Sequence, residues 1–441
     1  MRESLDAKIE PEKAFLVAVT VRGSRPLLGL DDSLDELTLL AQTAGMEIIG
    51  SATQTINHID ASTFVGSGKL EEIGQALVGN GAQVLIFDDE LSPRHQREIE
   101  KRLTETHGLK DIKVLDRSAL ILDIFAQHAQ TREGSLQVEL AQYEYRLPRL
   151  TRQWTHLSRQ TGGSGSRAGA GLRGPGETQL EVDKREINRK IAKLKRDLDG
   201  VRQHRSRHRE QRSRTGIPVI ALVGYTNAGK STLLNALTNA NVYVADQLFA
   251  TLDPTTRRVN LPSGRAVLFT DTVGFIQKLP TTLIAAFRAT LEEIIEADLL
   301  LHIVDVSHPN VLQHIESVED TLAELDMPPV PRVLVWNKAD LWHHDYLPQS
   351  PETEVHLSQV RVSAHTKFGM EALLAIIEDG LTASMREMTL LLPYQRGDLL
   401  SYLYEQGNVI SQDHTPEGVR VVVQLAQTEV SRFKSFQTRK V

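Results

Sequence analysis

The sequence of 441 residues contains no cysteine. That absence excludes a disulfide framework, thiolate metal ligands and a cysteine nucleophile, and it fits a reducing compartment. Nor does the start read as a secretory signal: Met1 to Pro11 is polar and charged and contains no apolar h-region. Long hydrophobic runs are lacking too. The best of them, Ala14–Val21 and Leu299–Val306, are far too short to span a bilayer. These absences point to a cytoplasmic protein without an integral membrane segment. What is present suffices for packed cores, with 40% apolar and 24% charged residues, and the length suggests two to four domains.

The net charge of −7 hides a segregation. Lys184 to Arg214 carries 13 Lys/Arg against 4 Asp/Glu, a local +9 that leaves −16 for the rest of the chain. A basic segment on an acidic chain marks an interaction surface for a polyanion, the plainer alternative being a solvated helix face.

Strand-like runs at Ala14–Val21, Val84–Phe87 and Ile112–Leu115 alternate with helical stretches, one opened by a Ser33/Glu36 capping box and another by Ser92. Residues 1–130 therefore read as a small α/β domain with a mainly parallel sheet. Two heptad seams follow. Leu136, Leu140, Tyr143, Leu147, Leu150, Trp154 and Leu157 form the first; Leu180, Ile187, Ile191, Leu194, Leu198 and Val201 form the second. Between them Gly162–Gly176 is too rich in glycine to be helical, so 131–214 reads as an antiparallel helical hairpin with a glycine-rich tip, kinked at Pro148. Arg159, Arg167 and Arg173 around that tip, with Lys184 and Arg185 on the second helix, are candidate RNA contacts, since glycine lets backbone amides approach a phosphate closely. Gly216-Ile-Pro218 opens a second α/β domain over 215–385, and 386–441 reads as a small α+β domain from the strand–helix–strand pattern of Thr389–Leu392, Leu399–Gln406 and Val419–Leu425.

The chemistry is concentrated in 215–385. Val219–Val223 is a buried-strand run, followed at once by Gly224-Tyr225-Thr226-Asn227-Ala228-Gly229-Lys230-Ser231 and a helix starting near Thr232. This is a GxxxxGKS phosphate loop in the strand–loop–helix setting it requires. Its amides surround phosphates, Lys230 faces the β/γ-phosphates, and the Ser231 hydroxyl is placed to ligate Mg²⁺. Asp271-Thr272-Val273-Gly274 ends a second strand: Asp271 suits the Mg²⁺ shell, and the Gly274 amide suits sensing of the γ-phosphate. Asn337-Lys338-Ala339-Asp340 and Ser363-Ala364-His365 end two more strands, at the edge where open α/β sheets bind ligands. The Asp340 carboxylate can accept from both N1–H and the 2-amino group of guanine, donors that adenine lacks, so the expected nucleotide is GTP.

These motifs resemble the translation-factor-related GTPases. Phe249-Ala250-Thr251-Leu252-Asp253-Pro254 resembles the first switch of the Obg–HflX group, which implies that Thr251 ligates Mg²⁺ and closes on the γ-phosphate; by spacing alone Thr255 and Thr256 compete for that role. Gly171-Leu-Arg-Gly174-Pro-Gly176-Glu-Thr-Gln-Leu-Glu181 resembles the HflX family specifically, as does Thr63–Lys69. The resemblance implies hydrolysis of GTP to GDP and phosphate, with Lys230, Thr251 and Gly274 in catalysis. It also implies association with the large ribosomal subunit and its rRNA, ending in dissociation or rescue of stalled ribosomes or in ribosome biogenesis; a monomer is expected. Phe275 stands where many GTPases carry a water-orienting glutamine, so turnover alone should be slow and a ribosome should stimulate it. An alternative is that Phe275 only packs under the second switch while another residue orients the water.

Other readings weighed are an RNA-remodelling factor using ATP at the N-terminal domain, a tRNA-modifying GTPase of the TrmE kind, and a non-catalytic GTP-gated regulator of a protein or membrane partner. The TrmE kind relies on a C-terminal cysteine, which this chain lacks. Gly66-Ser-Gly68-Lys69 lacks full phosphate-loop spacing and reads as a turn before a helix. Asp88-Asp89-Glu90 reads as an acidic strand-end loop, and His204/His208 and His343/His344 as solvated positions.

Overall fold

The computed structural model describes residues 11–150, 175–213, 217–238, 248–280, 293–324, 330–349, 353, 356–383, 386–425 and 430–438. The chain divides into two compact units. One comprises 1–201, 245–253 and 277–288; the other comprises 202–244, 254–276 and 289–441.

The first unit is built on β1 (Lys13–Val21), β2 (Glu47–Ile56), β3 (Val84–Phe87) and β4 (Lys113–Asp116), all parallel in the order β2-β1-β3-β4. The central strands read as unbroken apolar runs because both of their faces are covered. Phe15, Val17, Leu85 and Phe87 pack with Leu70, Ile73 and Leu77 of α2 (Ser67–Asn80) and with Ile99 and Leu103 of α3 (Pro93–His107). Ser92 caps α3, accepting from the His95 amide, as its sequence position led one to expect. Gly66 is the N-cap of α2 and Lys69 pairs with Glu72 at 2.7 Å, so the Gly66–Lys69 run is a helix start.

One local expectation is overturned. Ser33 and Glu36 do not form a capping box, because α1 (Leu30–Thr43) begins three residues earlier, behind Gly29. Both side chains point inward. Ser33 Oγ donates to Asp88 Oδ2 at 2.7 Å, and Glu36 pairs with Arg117, the first residue of α4 (Arg117–His128). Arg117 is 1% exposed and also holds Asp88 Oδ1 at 2.8 Å. A guanidinium buried to this degree has to be paired, and Asp88, from the acidic run after β3, does so together with Glu36.

The two seams meet through Leu136, Leu140 and Tyr143 of α5 (Arg132–Leu150) and Ile191, Leu194 and Leu198 of α6 (Pro175–Ser213), with a Glu144–Lys195 ion pair at 2.8 Å. Helix α6 starts at Pro175, so the last two residues of the glycine-rich stretch are helical; proline's fixed φ suits a first helical turn. Pro148 lies in the last turn of the described α5.

The second unit carries a six-stranded sheet in the order β10-β9-β8-β5-β7-β6. Its strands are β5 (Val219–Val223), β6 (Thr255–Asn260), β7 (Ala266–Asp271), β8 (Leu299–Asp305), β9 (Arg332–Asn337) and β10 (Ser358–Arg361). All pairings are parallel except β6 with β7. Helices α7 (Lys230–Thr238), α8 (Val311–Glu324) and α9 (Met370–Ala383) accompany it. A three-stranded antiparallel sheet, β11 (Arg386–Leu392), β13 (Gly418–Leu425) and β12 (Asn408–Thr415), packs with α10 (Gly397–Gln406). Strand β12 is additional to the strand–helix–strand pattern expected for 386–441, because its polar residues hide the alternation.

Candidate functional site

Strand β5 lies between β7 and β8, so the loop at its carboxyl end opens where the strand order reverses, the position at which such sheets bind ligands. The loop Gly224–Ser231 fills that position. Gly229 has φ +90°, and a Cβ there would sit 2.3 Å from Asn337 Nδ2, so only glycine fits. Lys230 is 6% exposed, and its ammonium donates to the Gly224 and Tyr225 carbonyls at 3.1 and 2.9 Å. Burial brings its pKa down to about 8, with the Asp271 charge opposing the fall.

A phosphate placed beside Lys230 favours the charged form. Above about pH 8, nucleotide binding must therefore take up a proton, and affinity is expected to fall up to about tenfold per pH unit. Calorimetry in two buffers of different ionisation enthalpy counts the proton; binding that is pH-independent to about pH 9.5 contradicts the assignment.

The second-switch residues are brought to the same loop. Ser231 Oγ donates to Asp271 Oδ2 at 2.6 Å, and Thr272 Oγ1 donates to the Leu222 carbonyl at 2.6 Å. Val273 and Gly274 are buried, and a Cβ on Gly274 would lie 2.8 Å from Thr226 Cα and 3.1 Å from Lys230 Nζ. Phe275 is 3% exposed. Its amide donates to the Gly224 carbonyl at 3.1 Å, and its carbonyl accepts from Thr226 at 2.7 Å. Tyr225 stacks on His314 with centroids 3.9 Å apart, and burial takes His314 down to about 3, so that ring is neutral.

Asn337 ties three motifs together. Its Nδ2 donates to the Ala228 carbonyl at 2.9 Å, and its Oδ1 accepts from the Ala364 amide at 3.1 Å. Lys338 has φ +59° and pairs with Asp305 at 2.8 Å. Ala339 donates to the Val362 carbonyl at 3.0 Å, and Asp340 is exposed on the turn Ala339–Leu341. Ser363 and Ala364 are buried while His365 is exposed. Thr232 follows on α7, half-buried.

Phe249–Asp253 belongs to the first unit. Phe249 has φ +57°, is 2% exposed, and meets Phe125 edge-on at 4.6 Å. A bulky residue at positive φ is strained and has to be held by its surroundings. Asp253 Oδ2 accepts from the Gln130 and Thr131 amides, both at 2.8 Å, just ahead of α5. Ala250 and Thr251 are half-buried, and Leu252 is buried. In the same unit Gln277 Nε2 donates to Ser33 Oγ at 3.0 Å, and Lys278 reaches Asp88 and Asp89 at 2.6 and 2.7 Å. Neither anchor carries a motif. The competing threonines lie on β6, where Thr255 pairs with Asp271 in the ladder and Thr256 Oγ1 is 3.0 Å from Thr270 Oγ1.

Of the candidate RNA contacts, Arg159, Arg167 and Arg173 lie outside the described residues. Lys184 and Arg185 are exposed on α6, Arg185 in an i,i+4 pair with Glu181 at 3.7 Å.

A phosphate loop, an Asp-x-x-Gly switch and an Asn-Lys-x-Asp element at neighbouring strand ends of one sheet define a P-loop GTPase domain. Comparison with known proteins extends this to the whole chain. Residues 31–126 match the family model described as GTP-binding GTPase N-terminal, and 128–212 match the GTP-binding GTPase middle region. Residues 219–338 match the 50S ribosome-binding GTPase model, and 352–435 match the HflX C-terminal domain. GTPase HflX of Caldanaerobacter subterraneus subsp. tengcongensis is 43% identical over 427 residues, 97% of this chain and 94% of that protein. GTPase HflX of Escherichia coli K12 is 44% identical over 395 residues, 89% and 88% of the respective chains. A GTP-binding protein of Sulfolobus solfataricus, solved with GDP, is 22% identical and aligns with a TM-score of 0.43 over 84% of this chain and 99% of its own. The chain belongs to the HflX family of GTP-hydrolysing GTPases. Among the described residues no helix is long and apolar enough to cross a membrane.

Proposed function

We propose that this GTPase acts as a monomeric cytoplasmic switch on the large ribosomal subunit, splitting or rescuing stalled ribosomes or serving their assembly. The observation that carries this reading is the match of residues 219–338 to a 50S ribosome-binding GTPase model, joined in one chain to the basic helix α6. On this reading the chain works as four parts, 1–130, 131–214, 215–385 and 386–441, and the 162–176 tip with Arg159, Arg167, Arg173, Lys184 and Arg185 touches rRNA.

Within the GTP site, Gly224–Thr232 cradles the phosphates, Lys230 offsets their charge, and Asp340 reads the base beside Asn337–Ala339 and Ser363–His365. The oxygens of Ser231 and Asp271, 2.6 Å apart, suit a hard cation such as Mg²⁺. Ser231, Asp271 and Thr251 would hold it, and it would neutralise charge on the phosphate oxygens. Thr251 is favoured over Thr255 and Thr256 because those two are held in the β6–β7 ladder. The burial of Phe275 favours a water-orienting group other than its ring.

The test is GTP turnover by the purified protein with and without large subunits, at two salt concentrations. Stimulation of at least about tenfold is expected, lost on deleting 162–176. If about six cations meet phosphates, binding should fall with a log–log salt slope near −5. Turnover indifferent to subunits sinks the proposal, and ATP turnover surviving both Lys230→Ala and Asp340→Asn would favour an ATP-using N-terminal domain instead.

A further inference from the structure

Outside the nucleotide site, the second unit holds a cluster that none of the GTPase motifs uses. His302 on β8, Glu319 on α8 and His356, just before β10, turn three Lewis-base atoms toward one another. His302 Nδ1 lies 3.1 Å from Glu319 Oε1 and 3.2 Å from His356 Nε2, and His356 Nε2 lies 3.5 Å from Glu319 Oε1. Both imidazoles are buried, and Glu319 is 13% exposed at its side chain. Sequence spacing gives no sign of this, since the ligands come from a strand, a helix and a loop far apart in the chain.

Hydrogen bonding alone fits the triangle poorly. A proton on His302 Nδ1 leaves the His356 nitrogen and the Glu319 oxygen facing each other as two acceptors. A proton on His356 Nε2 does the same to His302 and Glu319, and protons on both set two donors 3.2 Å apart. Each assignment leaves one like-to-like edge.

From this geometry we infer that His302, Glu319 and His356 form a binding site for a divalent transition-metal ion of the zinc type. Tetrahedral coordination at about 2.0–2.1 Å puts ligand atoms about 3.3–3.4 Å apart, which the three edges bracket. Two imidazoles and one carboxylate suit zinc over magnesium or calcium, which prefer all-oxygen shells. Arg332 holds the other oxygen of Glu319, orienting the carboxylate as outer-sphere partners of metal ligands do. Because Arg332 also offsets the carboxylate charge, binding weaker than at a closed structural zinc site is expected. The fourth position is left to water. The ion would clasp α8 and the segment entering β10 onto β8, the strand beside β5.

The test is titration of tag-free, full-length, nucleotide-free protein with Zn²⁺, and with Co²⁺ as a spectroscopic probe, in saturating Mg²⁺. One ion per chain, visible ligand-field bands of four-coordinate Co²⁺, and a rise in melting temperature are expected. His356→Ala and Glu319→Gln should each weaken binding at least tenfold while GTP affinity, measured in parallel, certifies the fold. Both variants lie away from the nucleotide motifs, and the wild-type stoichiometry stands as evidence even if one fails to fold. Absence of binding above the Mg²⁺ background would overturn the inference. So would binding untouched by both variants but lost in His204→Ala/His208→Ala or His343→Ala/His344→Ala.

Discussion

Asp340→Asn is expected to lower affinity for GTP by about 10²–10⁴ and to raise affinity for xanthosine triphosphate, leaving the fold intact. Guanine presents N1–H and a 2-amino group, two donors that a carboxylate can accept together. A carboxamide offers one acceptor and one donor. It therefore leaves a guanine donor facing an N–H, and it matches xanthine, whose position 2 is a carbonyl oxygen. A site built for buried hydrogen bonds discriminates by such amounts when one is mismatched. The structure makes this variant a clean probe. Asp340 is exposed on the turn Ala339–Leu341, whereas its neighbour Asn337 is buried and braces both Ala228 and Ala364. Changing Asn337 would damage the phosphate loop as well as the base pocket; changing Asp340 alters only what the turn presents. Competition binding of GTP and xanthosine triphosphate against a fluorescent guanine nucleotide reads the outcome. Unchanged GTP affinity would remove Asp340 from base recognition.

Gly274→Ala is the second variant with a large effect. The added methyl would stand 2.8 Å from Thr226 Cα, a backbone atom of the phosphate loop, and 3.1 Å from the Lys230 ammonium. Neither can yield cheaply, because Thr226 is backbone whose N–H donates a hydrogen bond to the Phe275 carbonyl, and the Lys230 ammonium donates to two carbonyls. The backbone at 274 must shift, and with it the amide proposed to sense the γ-phosphate. Loss of one such donor to developing charge costs about 10²–10³ in turnover. GDP contacts no γ-phosphate sensor, so its affinity should stay within about fivefold of wild type. Single-turnover hydrolysis with parallel GDP titration separates the two effects. Turnover within a factor of about three of wild type would show that the amide at 274 has no part in the reaction.

The nucleotide site was legible in sequence because its chemistry is local. A phosphate loop needs particular residues within one turn of chain, and the remaining motifs each end a recognisable apolar strand. The strands β1, β3, β4 and β5 were legible for the same reason. Side chains with distant partners were not. Ser33 and Glu36 satisfy the capping pattern, yet Asp88 and Arg117, just past the ends of β3 and β4, claim them. Strand β2 alternates exposed and half-buried residues with few large apolar ones, so Glu47–Ile56 carried little signal. His302 sits within the apolar run Leu299–Val306 and looks like an ordinary core residue; its partners are 17 and 54 positions away. Asn337 is legible only as the first residue of the Asn-Lys-x-Asp element; its bracing of the phosphate loop through Ala228 is visible only with the chain folded.

The anchoring of Phe249, Asp253, Gln277 and Lys278 within the first unit has a thermodynamic corollary. These residues flank Thr251 and Asp271–Gly274, so a nucleotide that repositions either stretch must work against Phe125, the amides ahead of α5, and the Asp88 cluster. Charge-assisted hydrogen bonds of this sort contribute about 1.5–3 kcal/mol each. Linkage is reciprocal: whatever binds the first unit more tightly in one arrangement of those stretches changes the ratio of GTP to GDP affinity by the same factor.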